Sequence, residues 1–207
     1  MRDKGKLFIV SAASGTGKSS LIREGLKLFS SHELSVSYTT RDPRAGEKNG
    51  IHYYFVSKEE FFNIKEQGDF LECALVHGNY YGTSKSLTES KLSSGINLIL
   101  EIDVQGYEQI LGHGLDHESI FILPPSFDAL KHRLTTRGSN DDASMQLRLD
   151  NARGELNKAY LYKHLIVNDN FDDCLNKFIS ILKNEKPTGR TKNTELFLEK
   201  LLSSWGN

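Results

Sequence analysis

Apolar and polar positions along this chain switch between two periods. Leu7-Phe8-Ile9-Val10 is an unbroken apolar run, the pattern of a strand covered on both faces. A small-residue loop separates it from the helix-like Ser20-Leu21-Ile22-Arg23-Glu24-Gly25-Leu26. Leu34 to Thr40 reads as a strand, and a polar, basic turn follows from Arg41 to Gly50. His52 to Val56 predicts a short aromatic strand. Ser57 and Glu60 make a capping box for a helix running to Gln67 and stopping at Gly68. Phe70 to His77 predicts a strand ending in the turn Gly78-Asn79-Tyr80-Tyr81-Gly82. A helix from Lys85 to Ser93 then leads to the apolar strand Leu98 to Asp103. Ile120 to Leu123 predicts a further strand, closed by Pro124-Pro125.

The second half is more helical. Phe127 to Thr136 and Ala143 to Tyr162 predict two helices around a polar hinge, Gly138 to Asp142. Leu165-Ile166-Val167 predicts a short buried strand, and Phe171 to Asn184 a core helix. Pro187 to Arg190 reads as a linker within a tail of residues 186–207. Phe197, Leu201 and Trp205 then recur at every fourth position beside Leu198 and Leu202, the stripe of an amphipathic helix. Apolar strands alternating with helices predict an α/β fold, a parallel sheet with helices on both faces. The β-rich stretch from about 35 to 83 breaks that rhythm and is expected to form a separate lobe.

Composition narrows the class. A chain of 207 residues can bury a core without disulfides or structural metals. Its net charge of −1 argues against a general nucleic-acid binder. Cys73 and Cys174 form no C-x-x-C pair and are expected to be reduced thiols of a cytoplasmic protein. No histidines stand at zinc-ligand spacing. The short polar start Met1-Arg2-Asp3-Lys4-Gly5 is not expected to be a signal peptide, and no apolar run is long enough for a membrane span.

The loop after the first strand carries the first chemistry. Ala12-Ala13-Ser14-Gly15-Thr16-Gly17-Lys18-Ser19-Ser20 lies between strand and helix, where backbone N–H groups and a helix N-terminus face a polyanion. Lys18 would reach the β- and γ-phosphates, and the Ser19 hydroxyl would ligate Mg²⁺. A Ser/Gly turn is common in α/β proteins, but its flanking strand and helix favour ATP or GTP binding. Ala12 stands where the strict pattern has glycine, so the loop must enter without left-handed geometry there. Arg41 and Arg44 flank Pro43 on the basic turn, and arginine's planar fork suits phosphate oxygens. Tyr53 and Tyr81 offer hydroxyl donors. Taken alone, such arginines are commonly solvated surface and such tyrosines packing.

Several strings together are more specific. Ser37-Tyr38-Thr39-Thr40-Arg41-Asp42-Pro43-Arg44-Ala45-Gly46-Glu47 and Gly78-Asn79-Tyr80-Tyr81-Gly82-Thr83 closely resemble the guanylate kinase family. Ile102-Asp103-Val104-Gln105-Gly106, Ile122-Leu123-Pro124-Pro125-Ser126 and Ile166-Val167-Asn168-Asp169 are similar to it too, in its order and spacing, across residues 5–185. The resemblance, closest to its bacterial free-standing members, implies a P-loop NTPase-type parallel sheet, a β-rich GMP-binding lobe and a helical lid at about 126–155. It implies Mg²⁺-dependent transfer of the ATP γ-phosphoryl group to GMP, a step of purine metabolism. Arg41, Arg44, Tyr53 and Tyr81 would hold the GMP phosphate. Glu72 and Asp103 would face guanine, with Ser37 and Thr83 supplying hydroxyls. Guanine offers N1–H and an exocyclic amino group as donors, which an acceptor-only carboxylate matches.

Asp103 also fits an acid contacting magnesium, and strand alternation puts Glu101 on the same face as a supporting acid. The resemblance makes Arg133, Arg137 and Arg148 lid arginines closing over the ATP phosphates, with Arg153 unassigned. Asn168 resembles a residue of the adenine pocket, and equally suits a turn. Lys18, Arg41, Arg133, Arg137 and Arg148 are expected to carry catalysis by charge, since the acceptor phosphate, with a second pKa of about 6, needs no general base. The GMP lobe and lid are expected to close on the loop to exclude water. Two other readings stand beside this one: a non-catalytic guanylate-kinase-like protein-binding module, and a nucleoside monophosphate kinase of other base specificity. The tail helix suits packing on its own core or in a homo-oligomer.

Overall fold

A computed structural model describes residues 3–76, 78–136, 142–185 and 190–206. The chain divides into two compact units, Met1–Leu7 with Ser31–His117, and Phe8–Ser30 with Glu118–Asn207.

In the second unit, strand β1 (Leu7–Ala12, whose first residue belongs to the other unit) pairs in parallel with β8 (Glu118–Leu123), and β8 in parallel with β9 (His164–Val167). Val10 lies opposite Ile120, and Ile122 opposite Ile166. Every residue of β1 is buried, so both faces of this sheet are covered. Helix α1 (Lys18–Leu26) packs on α7 (Phe171–Leu182), which also covers β9. Helices α5 (Phe127–Thr136) and α6 (Asp142–Leu156) pack together. The expected long helix to Tyr162 is interrupted: α6 ends at Leu156, and a separate 3₁₀ turn spans Ala159–Leu161. Asp142, expected in the hinge, opens α6, while residues 138–141 lie outside the described residues. So do 186–189, which hold most of the expected linker.

The amphipathic tail forms α8 (Lys192–Ser203), started by a capping box between Thr191 and Thr194. Leu198 and Leu201 are buried on this helix, which packs on α6 and β9. Trp205 continues the stripe on a 3₁₀ turn and meets Phe127 edge-on, ring centres 4.7 Å apart.

In the first unit, β2 (His32–Leu34) and β7 (Asn97–Glu101) pair in parallel, Leu34 opposite Ile99. A mixed sheet stands beside them in the order β4 (Tyr54–Phe55), β3 (Tyr38–Thr39), β6 (Asn79–Ser84), β5 (Phe70–Val76). The single strand expected over 34–40 is therefore two. The Ser35 N–H still bonds the Ile99 carbonyl at 2.8 Å, whereas the Ser37 carbonyl accepts the Tyr54 N–H at 2.9 Å. The chain changes sheets between those residues, ending one strand and starting another. The aromatic strand is shortened because the Gly50 N–H bonds the Tyr53 carbonyl, closing a turn around residues 51–52. The expected turn over 78–82 is mostly strand, since β6 begins directly after Gly78. His77 lies outside the described residues.

Helix α2 (Lys58–Glu66) carries the Ser57–Glu60 capping box in full, and α3 (Lys85–Ser93) has the expected limits. Phe61 seals the mixed sheet from below, 4.6 Å from the Phe70 ring centre and 5.6 Å from that of Tyr80. One helix was not anticipated. Helix α4 (Val104–Leu111) packs on β5, and its Gln109 side chain bonds both backbone groups of Cys73, accepting N–H at 3.0 Å and donating to the carbonyl at 2.9 Å.

Candidate nucleotide sites

The phosphate loop is built at the carboxyl end of β1. Ala12 is its last residue, extended and paired with Ile122, so alanine suffices where the strict motif has glycine. Left-handed geometry enters later, at Gly15 (φ +88°) and Gly17 (φ +97°), the positions where glycine is needed. Gly17 is the N-cap of α1 and supplies no side-chain acceptor. Helices α2, α3, α4, α7 and α8 are capped by Ser57, Ser84, Asp103, Asn170 and Thr191. The first turn of α1, opened by Lys18 and followed by the exposed Ser19, is thus without the side-chain cap those helices have, the arrangement that suits an anion at a helix N-terminus.

The loop is held from several sides. The Thr16 N–H donates to the Ala13 carbonyl at 3.2 Å, and its hydroxyl donates to the same oxygen. Asn168, buried after β9, donates from Nδ2 to the Thr16 carbonyl at 2.7 Å. Arg133 of α5 reaches the Thr16 and Asn168 carbonyls at 3.4 Å each. A cavity of about 500 Å³ adjoins the loop, lined by Gly15, Gly17, Ser20, His132, Arg133, Thr136, Asn168, Asp169 and Phe171. Asn168 therefore both lines this cavity and braces the loop. Ala13 and Thr16 are buried, Ser14 is exposed, and Arg148 is half-buried on α6 with Arg153 exposed beyond it. Arg137 lies outside the described residues.

A second set of groups converges in the first unit. Glu72 on β5 faces Thr83 on β6, whose hydroxyl donates to Glu72 Oε1 at 2.6 Å. Glu72 is 5% exposed. Burial pushes its carboxyl up to about 7, against the Thr83 hydrogen bonds and with the charge of Asp103 adding to the rise. Asp103 is the N-cap of α4 and accepts the Gly106 N–H at 2.8 Å, a role invisible while α4 was unrecognised. Gly106 admits the other carboxylate oxygen: a Cβ there would stand 2.6 Å from Glu72 Oε2.

The basic turn is organised by an acid of its own, which the pattern of arginines did not point to. Glu47 binds Arg41 through two contacts of 3.0 Å and accepts the Arg44 N–H at 2.7 Å. The Glu47 hydrogen bonds push the Arg41 pKa further up, with Tyr81 adding to it. The guanidinium also lies over Tyr53 and Phe55, 5.4 and 5.7 Å from the ring centres. Tyr53 and Tyr81 meet edge-on at 5.9 Å. Burial raises the Tyr53 phenol, and the charge of Glu101 raises it further. Arg44 is exposed on the turn, and Ser37 is half-buried between β2 and β3. Among the described residues no group of three or more His, Cys, Asp or Glu side chains is arranged to hold a metal ion. Ser19 presents an exposed hydroxyl at the loop, an oxygen donor of the kind Mg²⁺ takes.

Residues 4–185 match the guanylate kinase family. A guanylate kinase of Vibrio cholerae is 46% identical over 185 residues, covering 88% of this chain and 89% of its own. One of Hahella chejuensis is 44% identical over 183 residues, covering 88% of each. The crystal structure of guanylate kinase from Anaplasma phagocytophilum superposes with a TM-score of 0.72 at 31% identity, covering 98% of this chain and 96% of that one.

Proposed function

The chain belongs to the guanylate kinase family and is a phosphotransferase of the nucleoside monophosphate kinase type, and on that premise we propose how its own residues move the ATP γ-phosphoryl group to GMP. Residues 12–19 cradle the ATP phosphates, with Lys18 on the transferring group and the cavity beside Asn168 taking the rest of the nucleotide. Ser19 would help hold Mg²⁺, bound mostly through nucleotide and water, which when present would neutralise charge on the phosphate oxygens. The lobe at about 35–83, together with Asp103, takes GMP. Arg41, Arg44, Tyr53 and Tyr81 hold its phosphate, and Glu72, Thr83, Ser37 and Asp103 read its base. The segment at about 126–155 acts as lid, with Arg133, Arg137 and Arg148 stabilising charge as it shifts between oxygens. No group need accept a proton, because the attacking phosphate oxygen is already charged. Positioning and water exclusion do the rest.

One observation carries the choice of acceptor. Glu72 is a buried carboxylate with an unusually high pKa, one oxygen held by Thr83 and the other at the first turn of α4. Such a group gains most from a ligand that brings donors, and guanine's Watson–Crick edge brings two, whereas adenine's N1 offers a lone pair. ADP release measured with GMP, AMP, CMP and UMP in turn tests this. GMP is expected to exceed the others in kcat/KM by about 10²-fold or more. Comparable rates with AMP would overturn the base assignment, and no release with any acceptor would leave a protein-binding module. We also place the chain in the cytoplasm, where its unbridged Cys73 and Cys174 would stay reduced. None of the described helices is long and apolar enough to cross a membrane.

Gly106→Ala supplies a structural check. The new methyl group would displace the Glu72 carboxylate, so the KM for GMP should rise about tenfold with the KM for ATP within twofold. In a Glu72→Ala background the same change should add almost nothing. Equal effects in both backgrounds would show that Gly106 acts elsewhere.

A further inference from the structure

Two of the contacts on the phosphate loop come from donors, Asn168 and Arg133, both on the Thr16 carbonyl. A third has the opposite character. The Ser14 N–H donates to Glu155 Oε2 at 3.1 Å, joining the loop to the last turn of α6 across 141 positions of sequence. A carboxylate beside a loop that receives a polyanion is repelled by that ligand, so its place there demands a reason. Glu155 is not among the residues lining the cavity beside Gly15 and Gly17. It grips the loop at Ser14, ahead of the two left-handed glycines and four residues before Lys18. A carboxylate accepting a backbone N–H makes a charge-assisted bond, about twice as strong as a neutral one.

Glu155 also shares a face of α6 with a lid arginine. Arg148 lies seven residues earlier, close to two full turns, with a rise of about 10 Å between them. Fixing Glu155 on the loop therefore fixes where that face of α6 stands.

We propose that Glu155 is a positioning residue for ATP, a role that rests on reading residues 12–19 as the ATP cradle. It acts through Ser14, holding the entry of the loop in its receiving shape and orienting the helix that presents Arg148. Its negative charge is engaged by the Ser14 N–H and stays off the phosphates.

The test compares Glu155→Ala, which removes the acceptor, with Glu155→Gln, which keeps an acceptor oxygen and removes the charge. Steady-state KM values for ATP and GMP, ADP affinity by calorimetry and thermal midpoints are measured for both. Glu155→Ala should raise the KM for ATP and the Kd for ADP about tenfold, with the KM for GMP within twofold. Glu155→Gln should recover most of that loss. Unchanged ATP and ADP values in Glu155→Ala would overturn the proposal. So would tighter ATP binding, which would make the carboxylate a competitor of phosphate. A parallel loss for GMP, or a glutamine variant no better than alanine, would reduce the residue to a general structural part. Lys18→Ala, run alongside, separates the two levels: if that variant stays active the cradle itself is misread, whatever the Glu155 variants do.

Discussion

A Lys18→Ala enzyme is expected to fold normally and to lose turnover by about 10³-fold or more. Lys18 opens α1 immediately after the left-handed Gly17, half-buried at the mouth of the loop and outside the core built by Phe8, Ile9, Leu21 and Phe178. Replacing it should leave the thermal midpoint within a few degrees of the parent. The loop keeps its backbone donors, so weak nucleotide binding should survive. The missing cation would have met the charge developing on the transferred phosphoryl group, and an N-terminal helix field is no substitute for a full charge. ADP release coupled to a spectrophotometric assay, beside a melting curve, checks both halves. Turnover within tenfold of the parent would refute the loop's assignment.

Glu72→Gln should act on the other substrate. The glutamine retains an acceptor for the Thr83 hydroxyl but presents an amide donor where guanine presents donors of its own. The expected result is a fall in kcat/KM for GMP of about 10²-fold or more, with the KM for ATP within twofold. The same carboxyl predicts a pH effect. Its folded-state value near 7 lies above the ordinary 4.5, so between those values the folded protein holds a proton that the unfolded chain releases. The contribution of Glu72 to stability is therefore present at low pH and is lost as pH rises toward 7, a cost on the order of 3 kcal/mol above it. On the proposed reading GMP pairs with the ionised form, so its KM should climb as pH falls below 7. In Glu72→Gln that part of the profile should vanish, leaving only the titration of GMP's own phosphate, and the ligand-free variant should melt higher than the parent at pH 8. A variant retaining the parental pH profile would remove Glu72 from the base site.

What could be read from residues alone follows a physical line. The phosphate loop, the Ser57–Glu60 capping box and the limits of α3 depend on neighbours in sequence, and all were legible there. Strand limits depend on partners. Nothing local in Leu34 to Thr40 says that Ser35 will bond Ile99 while Ser37 will bond Tyr54. Helix α4 escaped notice because Asp103 looks like the end of an apolar strand, and its capping role appears only once the Gly106 N–H is placed. The candidate residues themselves were nameable, but their companions were less so. Glu47 sat in plain view six residues after Arg41, and an acid inside a basic turn is the signal that would have found it. Glu155 offered no comparable signal, because only folding brings it to Ser14.

The bond between Gln109 and Cys73 bears on how this protein behaves in company. Strand β5 ends its sheet, and Cys73 turns both backbone groups away from β6 to meet the Gln109 amide. A bare sheet edge is a template on which another chain can add a strand, here next to the exposed Leu75. One carboxamide on α4 imitates a neighbouring strand for the length of a single residue, and that is enough to interrupt the template. At Cys73 the edge of the lobe assigned to GMP is thereby already occupied, which makes it a poorer template for a foreign strand.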